Sequence, residues 1–302
     1  LKLIVKMNIA FCVNKLGLIG LGATICSLIR NCSNTRELKI FILCNSLSIY
    51  DKDAISKLFD KERYLGKHSF ISINPDLTFG QFRSLHGDFT PYGRLLLGDL
   101  INESMVLYLD SDLIVEVDVL GIRNFNFNGR ILAAVEAGQL KTALENKFYV
   151  EKLALSPQLS SFNSGVLLFN LDRWRSENVK EKCLNMARQY PNDLLSCDQS
   201  ILNGLFAGNF EQLPPAFNCP WYAGSTKPDV SDKMIIHFVG SPKPWDIFGI
   251  LTHNGYYKWQ QYLSEDWSSS FKKYSYNELK RAWKIRRSYV KLIVNKILAN
   301  NV

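Results

Sequence analysis

Met105 to Val117 reads MVLYLDSDLIVEV: the apolar run Val106, Leu107, Tyr108, Leu109 leads into Asp110, Asp112 follows two positions on, and a second apolar run resumes at Leu113. In an extended chain residues i and i+2 point to the same side, so the two carboxylates share one face at the far end of a buried-type strand. Ligands of open α/β sheets gather outside the carboxyl ends of strands, which makes this a functional position. Two hard oxygen donors suit Mg²⁺ or Mn²⁺ and leave much of the ion's coordination sphere open for a substrate diphosphate. The same spacing recurs at Asp51 and Asp53, in a polar stretch that opens a helix. There the expected role is a solvated helix cap.

Outward from this stretch the chain alternates strand and helix patterns. Residues 8–13, 38–44, 70–73 and 106–110 read as strands, with helices at 19–30, 52–64 and 91–102 between them. Further strands are expected at 131–135, 166–169 and 234–238. This order implies an α/β fold with a mixed, mostly parallel sheet and helices on both faces. The turn after the first strand holds Gly17, Gly20 and Gly22 but no G-x-G-x-x-G, so a dinucleotide-binding dehydrogenase is the poorer reading.

An apolar content of 47% over 302 residues is ample for one large core. The seven cysteines contain no C-x-x-C pair, so neither a disulfide framework nor a zinc site is indicated, and reduced thiols in the cytosol are expected. The opening LKLIVKMNIAFCV has too short an apolar run before Lys6 for a signal peptide, and no stretch reaches the length of a membrane span.

The formal net charge of +8 is concentrated at one end. Phe271 to Val302 holds nine basic residues, Lys272 and Lys273 among them, against Glu278 alone, which accounts for the whole excess. A body that is formally neutral argues against a nucleic-acid partner. Within the tail Leu279, Trp283, Val290, Val294 and Ile297 fall on one side of a helix, beside a stripe of Lys280, Lys284, Arg287 and Lys291. An apolar edge flanked by cations suits docking on an anionic membrane surface, each cation contributing roughly 1 kcal/mol. The alternative is a helix packed on the body with a solvated basic side. The expected division is a catalytic domain at 1–247 and a helical, basic, membrane-associating appendage at 248–302.

Around Asp110 and Asp112 stand five further blocks: YGRLLLGDL (Tyr92 to Leu100), FNSGVLLFNLDRW (Phe162 to Trp174), CDQSILNGLF (Cys197 to Phe206), LPPAFN (Leu213 to Asn218) and IIHFVGSPKPW (Ile235 to Trp245). In this order and at these intervals, from Met7 to Trp245, the chain resembles glycosyltransferase family 8. These are retaining sugar-nucleotide transferases that include bacterial lipopolysaccharide galactosyl- and glucosyltransferases, glycogenin and galactinol synthase. The resemblance implies the Rossmann-like fold called GT-A, a UDP-sugar donor and a metal.

Residue by residue, the resemblance carries further. A lone histidine in an apolar strand such as MIIHF is more often a satisfied core residue than a ligand. His237, Gly240, Lys243, Pro244 and Trp245 nevertheless match the family's H-x-x-G-x-x-K-P-W, whose histidine is the third protein ligand of Mn²⁺ beside the positions of Asp110 and Asp112. Imidazole beside two carboxylates leans towards Mn²⁺ over Mg²⁺. Gly240 is then expected against the diphosphate and Lys243 against the departing phosphate. The match also implies uridine at Cys12, Val13 and Asn14, and a donor-binding Arg94 whose fork of donors holds sugar hydroxyls or phosphate. Glu136, Asn163 and Ser164 are expected on the donor sugar, with Gly165 permitting close approach. Asp198 and Gln199 are expected beneath the ring near the anomeric carbon, and with Arg94 they form the expected catalytic set. His68, His86 and His253 match nothing and read as surface or loop residues.

The function so implied is retaining, Mn²⁺-dependent transfer of galactose or glucose from a UDP-sugar to an oligosaccharide or glycolipid acceptor. Lipopolysaccharide or another surface polysaccharide is the expected product, made at the cytoplasmic membrane face. Front-face attack is favoured over double displacement, with Gln199 orienting or stabilising the cationic sugar. Two other readings stand beside it: a glycogenin-like initiator that glucosylates itself, and a catalytically silent nucleotide-binding module tethered by the basic tail.

Overall fold

The computed structural model describes residues 6–85, 87–271 and 276–299. All seven residues of β1 (Met7–Val13) are buried, as a strand covered on both faces requires. It runs parallel to β2 (Leu38–Asn45) on one side and β4 (Met105–Leu109) on the other, and β2 runs parallel to β3 (Lys67–Ile73). Beyond β4 the direction reverses. β7 (Ser160–Asn170) is antiparallel to both β4 and β6 (Leu132–Gln139), while β8 (Glu211–Gln212) is parallel to β6. The resulting order, β3-β2-β1-β4-β7-β6-β8, is the expected mixed, mostly parallel sheet.

A second, three-stranded sheet consists of β5 (Leu113–Val115), β10 (Ile235–His237) and β9 (Cys219–Pro220), in the order β5-β10-β9. β4 ends at Leu109 and β5 begins at Leu113, so Asp110 and Asp112 lie in the link that crosses from the large sheet to the small one. The pair therefore stands just past the end of β4, close to the strand end at which the sequence pattern put it. The apolar run that follows it belongs to a different sheet.

Helices flank the large sheet. α1 (Leu18–Asn31) is buried from Leu18 to Ile29, and its Thr24 hydroxyl donates to the carbonyls of Ser111 at 3.1 Å and Leu113 at 2.8 Å, fastening the helix to the Asp110–Asp112 link. α2 (Ile49–Lys61) opens with a reciprocal capping box between Ser48 and Asp51. Asp51 is a cap as expected but a buried one, with Lys15 and the Ser48 hydroxyl around it; Asp53 alone is solvated. α3 (Pro75–Phe79) and α4 (Leu97–Leu100) are short. The helix expected over 91–102 is a 3₁₀ run, Thr90–Leu96, that becomes α-helical only in α4. Gly93 is pressed onto the end of the sheet, where a Cβ would lie 2.9 Å from both Cys12 Sγ and Ile73 Cδ1.

α5 (Leu171–Ser176), α6 (Val179–Gln189) and α7 (Asp198–Phe206) cover the opposite face. The C-terminal segment adds α8 (Gly249–Thr252), α9 (Tyr256–Gln260), α10 (Glu265–Phe271), α11 (Tyr276–Lys284) and α12 (Arg286–Ala299). Trp259, Tyr262 and Trp267 join the same apolar core as α1, and the Trp267 indole donates to the Leu18 carbonyl at 2.9 Å.

In the tail a turn at Ile285 separates α11 from α12. Leu279, Trp283, Val290 and Val294 are exposed, as are Lys280, Lys284, Arg287 and Lys291, while Tyr289 turns inward. Lys272, Lys273, His86 and the side chains of Lys296 and Ile297 lie outside the described residues. Among the described residues no helix is long and apolar enough to cross a membrane.

Candidate active site

Antiparallel pairing of β10 with β5 sets His237 opposite Leu113, next to Asp112. One oxygen each of Asp110 and Asp112 and a ring nitrogen of His237 lie within 4.8 Å of one another. His237 Nδ1 is 3.0 Å from Asn218 Oδ1, and Nε2 is 3.3 Å from Asp112 Oδ1. A proton on Nδ1, donated to Asn218, leaves the Nε2 lone pair aimed at the carboxylates, the way metal-binding histidines are oriented.

Two features test whether a metal fits here. Asp112 Oδ1 is buried without a hydrogen-bond partner, a costly state unless a ligand engages it. Gly165 supplies the space: a Cβ there would lie 2.3 Å from His237 Cε1 and 2.9 Å from Asp110 Oδ2. Two carboxylates and an imidazole are a donor set for a hard-to-borderline divalent ion, so the residues fit Mn²⁺.

The charges around the triad are matched. Lys243 Nζ is 2.6 Å from Asp112 Oδ2 and also donates to the Phe238 carbonyl. Burial alone would raise the Asp112 pKa, but the Lys243 ammonium outweighs it and holds the carboxyl well below its usual range. Asp110 Oδ1 accepts from the Tyr108 hydroxyl at 2.7 Å and from Arg94 Nη2 at 2.9 Å.

Arg94 is an interior residue, unlike an ordinary helix-surface arginine. Besides Asp110, its Nε lies 3.1 Å from Asp198 Oδ2 and donates to Pro91 O at 3.0 Å, Nη1 donates to Ser164 O, and the guanidinium sits 4.2 Å over the Tyr108 ring. Burial works against its charge, but the carboxylates of Asp110 and Asp198 more than compensate and raise its pKa. Asp198 is pushed up to about 6 by burial, with Arg94 pulling the other way. Its Oδ2 also accepts from Ser164 Oγ at 3.1 Å.

Cys197, just before Asp198, has φ of 55°, a left-handed conformation that costs a residue with a Cβ roughly 1–3 kcal/mol and is held where geometry matters. The turn brings the start of α7 against β7. Gln199 Oε1 accepts from Asn163 Nδ2 and from Ser164 N, each at 3.0 Å. Asn163 Oδ1 in turn accepts from Asn218 Nδ2 at 3.1 Å. A continuous chain of hydrogen bonds thus runs from His237 through Asn218 and Asn163 to Gln199.

Glu136 stands where the β6–β7 register shifts, and it shares a cavity of about 150 Å³ with Asn163, Asn218, Tyr222 and Val239. Gly240, with φ of 78°, occupies a conformation open to glycine at little cost. Cys12 and Val13 are buried at the end of β1, where burial drives the Cys12 thiol far up. Asn14 caps the next turn, accepting from Leu16 N at 3.0 Å and Gly17 N at 3.1 Å, and donates to Asp88 Oδ2 at 2.9 Å. The structure therefore joins Arg94, Asp110, Asp112, Asn163, Ser164, Asp198, Gln199, His237 and Lys243 through direct contacts, with Glu136 in the adjoining cavity. Cys12 to Asn14 stand at the neighbouring strand end, outside that hydrogen-bond chain.

Three partners had no role in the sequence reading: Tyr108, Asp88 and Asn218. Asn218 was within reach, since it closes the LPPAFN block. One expectation is corrected in part: His253 stands in the loop between α8 and α9, but it is no surface residue. It is 1% exposed, packed edge-on against Phe238 with ring centroids 5.2 Å apart, and its Nδ1 accepts from Gly255 N at 3.0 Å. Trp221 and Phe238, which enclose it, come from distant segments. His68 is half-buried, stacked on Phe59.

Residues 8–248 match the family model described as glycosyl transferase family 8. Lipopolysaccharide 1,2-glucosyltransferase of Escherichia coli (strain K12) is 26% identical over 271 residues, covering 83% of this chain and 76% of that protein. Glycosyltransferase GlyE of Streptococcus pneumoniae serotype 4 is 27% identical over 259 residues, covering 78% of this chain. That relative is longer, and the match spans 56% of its length. Among solved structures, the galactosyltransferase LgtC in complex with donor and acceptor sugar analogues is similar with a TM-score of 0.73 at 24% identity, over 87% of this chain and 99% of that one. This likeness is one of fold, and it is the GT-A fold.

Proposed function

This chain belongs to glycosyl transferase family 8, and we propose on that premise that it moves galactose or glucose from a UDP-sugar to a glycan acceptor with retention, using Mn²⁺ at Asp110, Asp112 and His237. One observation carries the reading: one oxygen each of Asp110 and Asp112 and a ring nitrogen of His237 lie within 4.8 Å of one another, and Asp112 Oδ1 is buried with no hydrogen-bond partner.

When bound, a divalent ion supplies a Lewis acid to the donor's diphosphate. The remaining work falls to the chain itself. Lys243 adds a cation beside the departing phosphate, and Gly240 lets the backbone come close to it. Asn218 keeps His237 in the ligating tautomer. Arg94 holds Asp110 and Asp198 in place, and with them contacts the donor. Cys12, Val13 and Asn14 receive uridine, while Glu136, Asn163 and Ser164 line the sugar.

Gln199, gripped by Asn163 and Ser164, orients the sugar near its anomeric carbon. Asp198 is buried and ion-paired with Arg94, which suits a hydrogen bond to the sugar better than nucleophilic attack. That favours front-face attack by the acceptor hydroxyl over double displacement. The E. coli relative supports an oligosaccharide or glycolipid acceptor in lipopolysaccharide or another surface polysaccharide. Residues 1–247 would carry catalysis and 248–302 the basic appendage. The exposed Leu279 and Trp283 on α11 and Val290 and Val294 on α12, with exposed Lys280, Lys284 and Arg287, support docking on an anionic membrane at its cytoplasmic face.

The test is UDP release from UDP-glucose, UDP-galactose and other UDP-sugars, with Mn²⁺ or with EDTA and no acceptor. Mn²⁺-dependent release from one hexose donor is expected. Release from none would replace the transferase with a catalytically silent module.

A further inference from the structure

A second, larger cavity of about 640 Å³ adjoins the donor-side one, and Tyr222 and Val239 line both. One wall of it is the loop that carries Gly240 and Ser241; another is α12, through Ser288, Lys291, Leu292 and Asn295. The tail helix is fixed there. A Cβ at Gly224 would lie 2.5 Å from Leu292 Cδ2, so the helix packs directly onto that turn. Tyr289 is buried and stands edge-on to Phe248, with centroids 5.2 Å apart.

The preceding helix grips the same loop. Arg281 donates to Asp246 through Nε at 2.6 Å and Nη2 at 3.0 Å, while Asp246 Oδ2 accepts from Lys243 N at 2.7 Å. The loop that bears Lys243 and the helices of the tail are therefore two sides of one built cleft.

Its volume lies within the range of roughly 300–1,000 Å³ typical of small-molecule sites. Serine hydroxyls, the Asn295 amide and the Tyr222 ring make a lining suited to sugar rings, which present hydroxyls on their edges and C–H groups on their faces. Lys291 is the one charged side chain among the described lining residues, and no carboxylate opposes it there.

We propose that this cavity is an outer acceptor subsite, holding saccharide units beyond the one attacked, and that Lys291 selects acceptors carrying an anionic substituent such as a phosphate. The proposal rests on the transferase reading. Continuity with the donor-side cavity identifies the occupant, because a glycan entering towards the sugar pocket passes Tyr222 and Val239. It gives α12 a role in recognition, separate from any contact its outer face makes with lipid.

The test compares lactose with lactose phosphorylated at O6 of its reducing glucose, the unit beyond the galactose that would be attacked, by ligand-observed NMR, on the full chain with UDP and Mn²⁺ and without lipid. The wild type is expected to bind the phosphorylated sugar about 10-fold more tightly. Lys291→Gln should bring the two sugars to within about 2-fold, and Ser288→Trp, which fills the cavity, should lose both. Acceptor-free UDP release should be the same in all three proteins, which also reports that the variants are folded. Equal affinity of the wild type for both sugars, or variants that bind them as the wild type does, would overturn the subsite. A Lys291→Gln effect confined to anionic liposomes would overturn it too, and assign the residue to the membrane. Absence of UDP release from the wild type would instead overturn the transferase reading.

Discussion

The active-site network and the C-terminal helices treat polarity in opposite ways. In the site, ionised groups are inside: Arg94 and Asp198 are each 3% exposed, and Arg94 is shared between Asp198 and Asp110. In the tail, apolar groups are outside: Leu279 is 59% and Trp283 70% exposed, beside cations that also face solvent. Burying an ion costs several kcal/mol unless partners match it, so the site persists because nearly every polar atom in it has one. The exception, Asp112 Oδ1, then marks where a ligand belongs. The exposed apolar side chains of the tail are the observation behind the proposed docking surface.

The largest expected effect breaks the first half of that contrast. Asp112→Asn keeps the shape of the side chain and removes its charge from the triad, so transfer should fall by about 10³-fold or more, while loss of the ion pair with Lys243 lowers the thermal melt of a chain that still folds. Retained transfer would refute the metal assignment. Next, Arg94→Ala leaves Asp198 buried without its cation, and urea denaturation should show a loss of roughly 3–5 kcal/mol. A loss near zero would mean that the network does not depend on its central ion.

A third prediction concerns acid. Burial, with Lys243 adding to it, lowers His253 to about 4, so the unfolded chain, whose histidine titrates near 6.5, binds more protons between those values. The stability held by neutral His253 is complete above about pH 6.5 and falls by roughly 3 kcal/mol as pH drops through 4. His253→Asn, which keeps an acceptor for Gly255 N–H, should narrow the pH dependence of unfolding by that amount; an unchanged profile would sink the idea. The smallest effect on folding belongs to the tail. Leu279→Ser with Trp283→Ser should change stability by under about 0.5 kcal/mol per site yet reduce sedimentation with phosphatidylserine vesicles. Unaltered vesicle binding would reject the docking role.

What could be read in the chain follows the same division. Asp110 and Asp112 were visible because a strand pattern runs straight into them, and the blocks around them identified His237 and Lys243 by resemblance. A strand at 234–238 was visible, but the small sheet was not, since β5 and β9 have only three and two residues and β10 meets β5 across more than 100 positions. Asn218 orients His237 only through that pairing, so its role is a tertiary fact. The 3₁₀ winding at Thr90–Leu96 escaped for a related reason. Periods of 3.0 and 3.6 are hard to tell apart over seven residues. His253 is a loop residue as read, but its burial escaped because Trp221 and Phe238, which enclose it, come from other segments.

The central claim is that Asp110, Asp112 and His237 seat the ion on which donor binding depends. Calorimetric titration of UDP into the full chain, first with Mn²⁺ and then with EDTA, addresses it without needing an acceptor or the right sugar. The account predicts binding in Mn²⁺ that weakens by about 100-fold or more in EDTA. Equal affinity for UDP in both would contradict it.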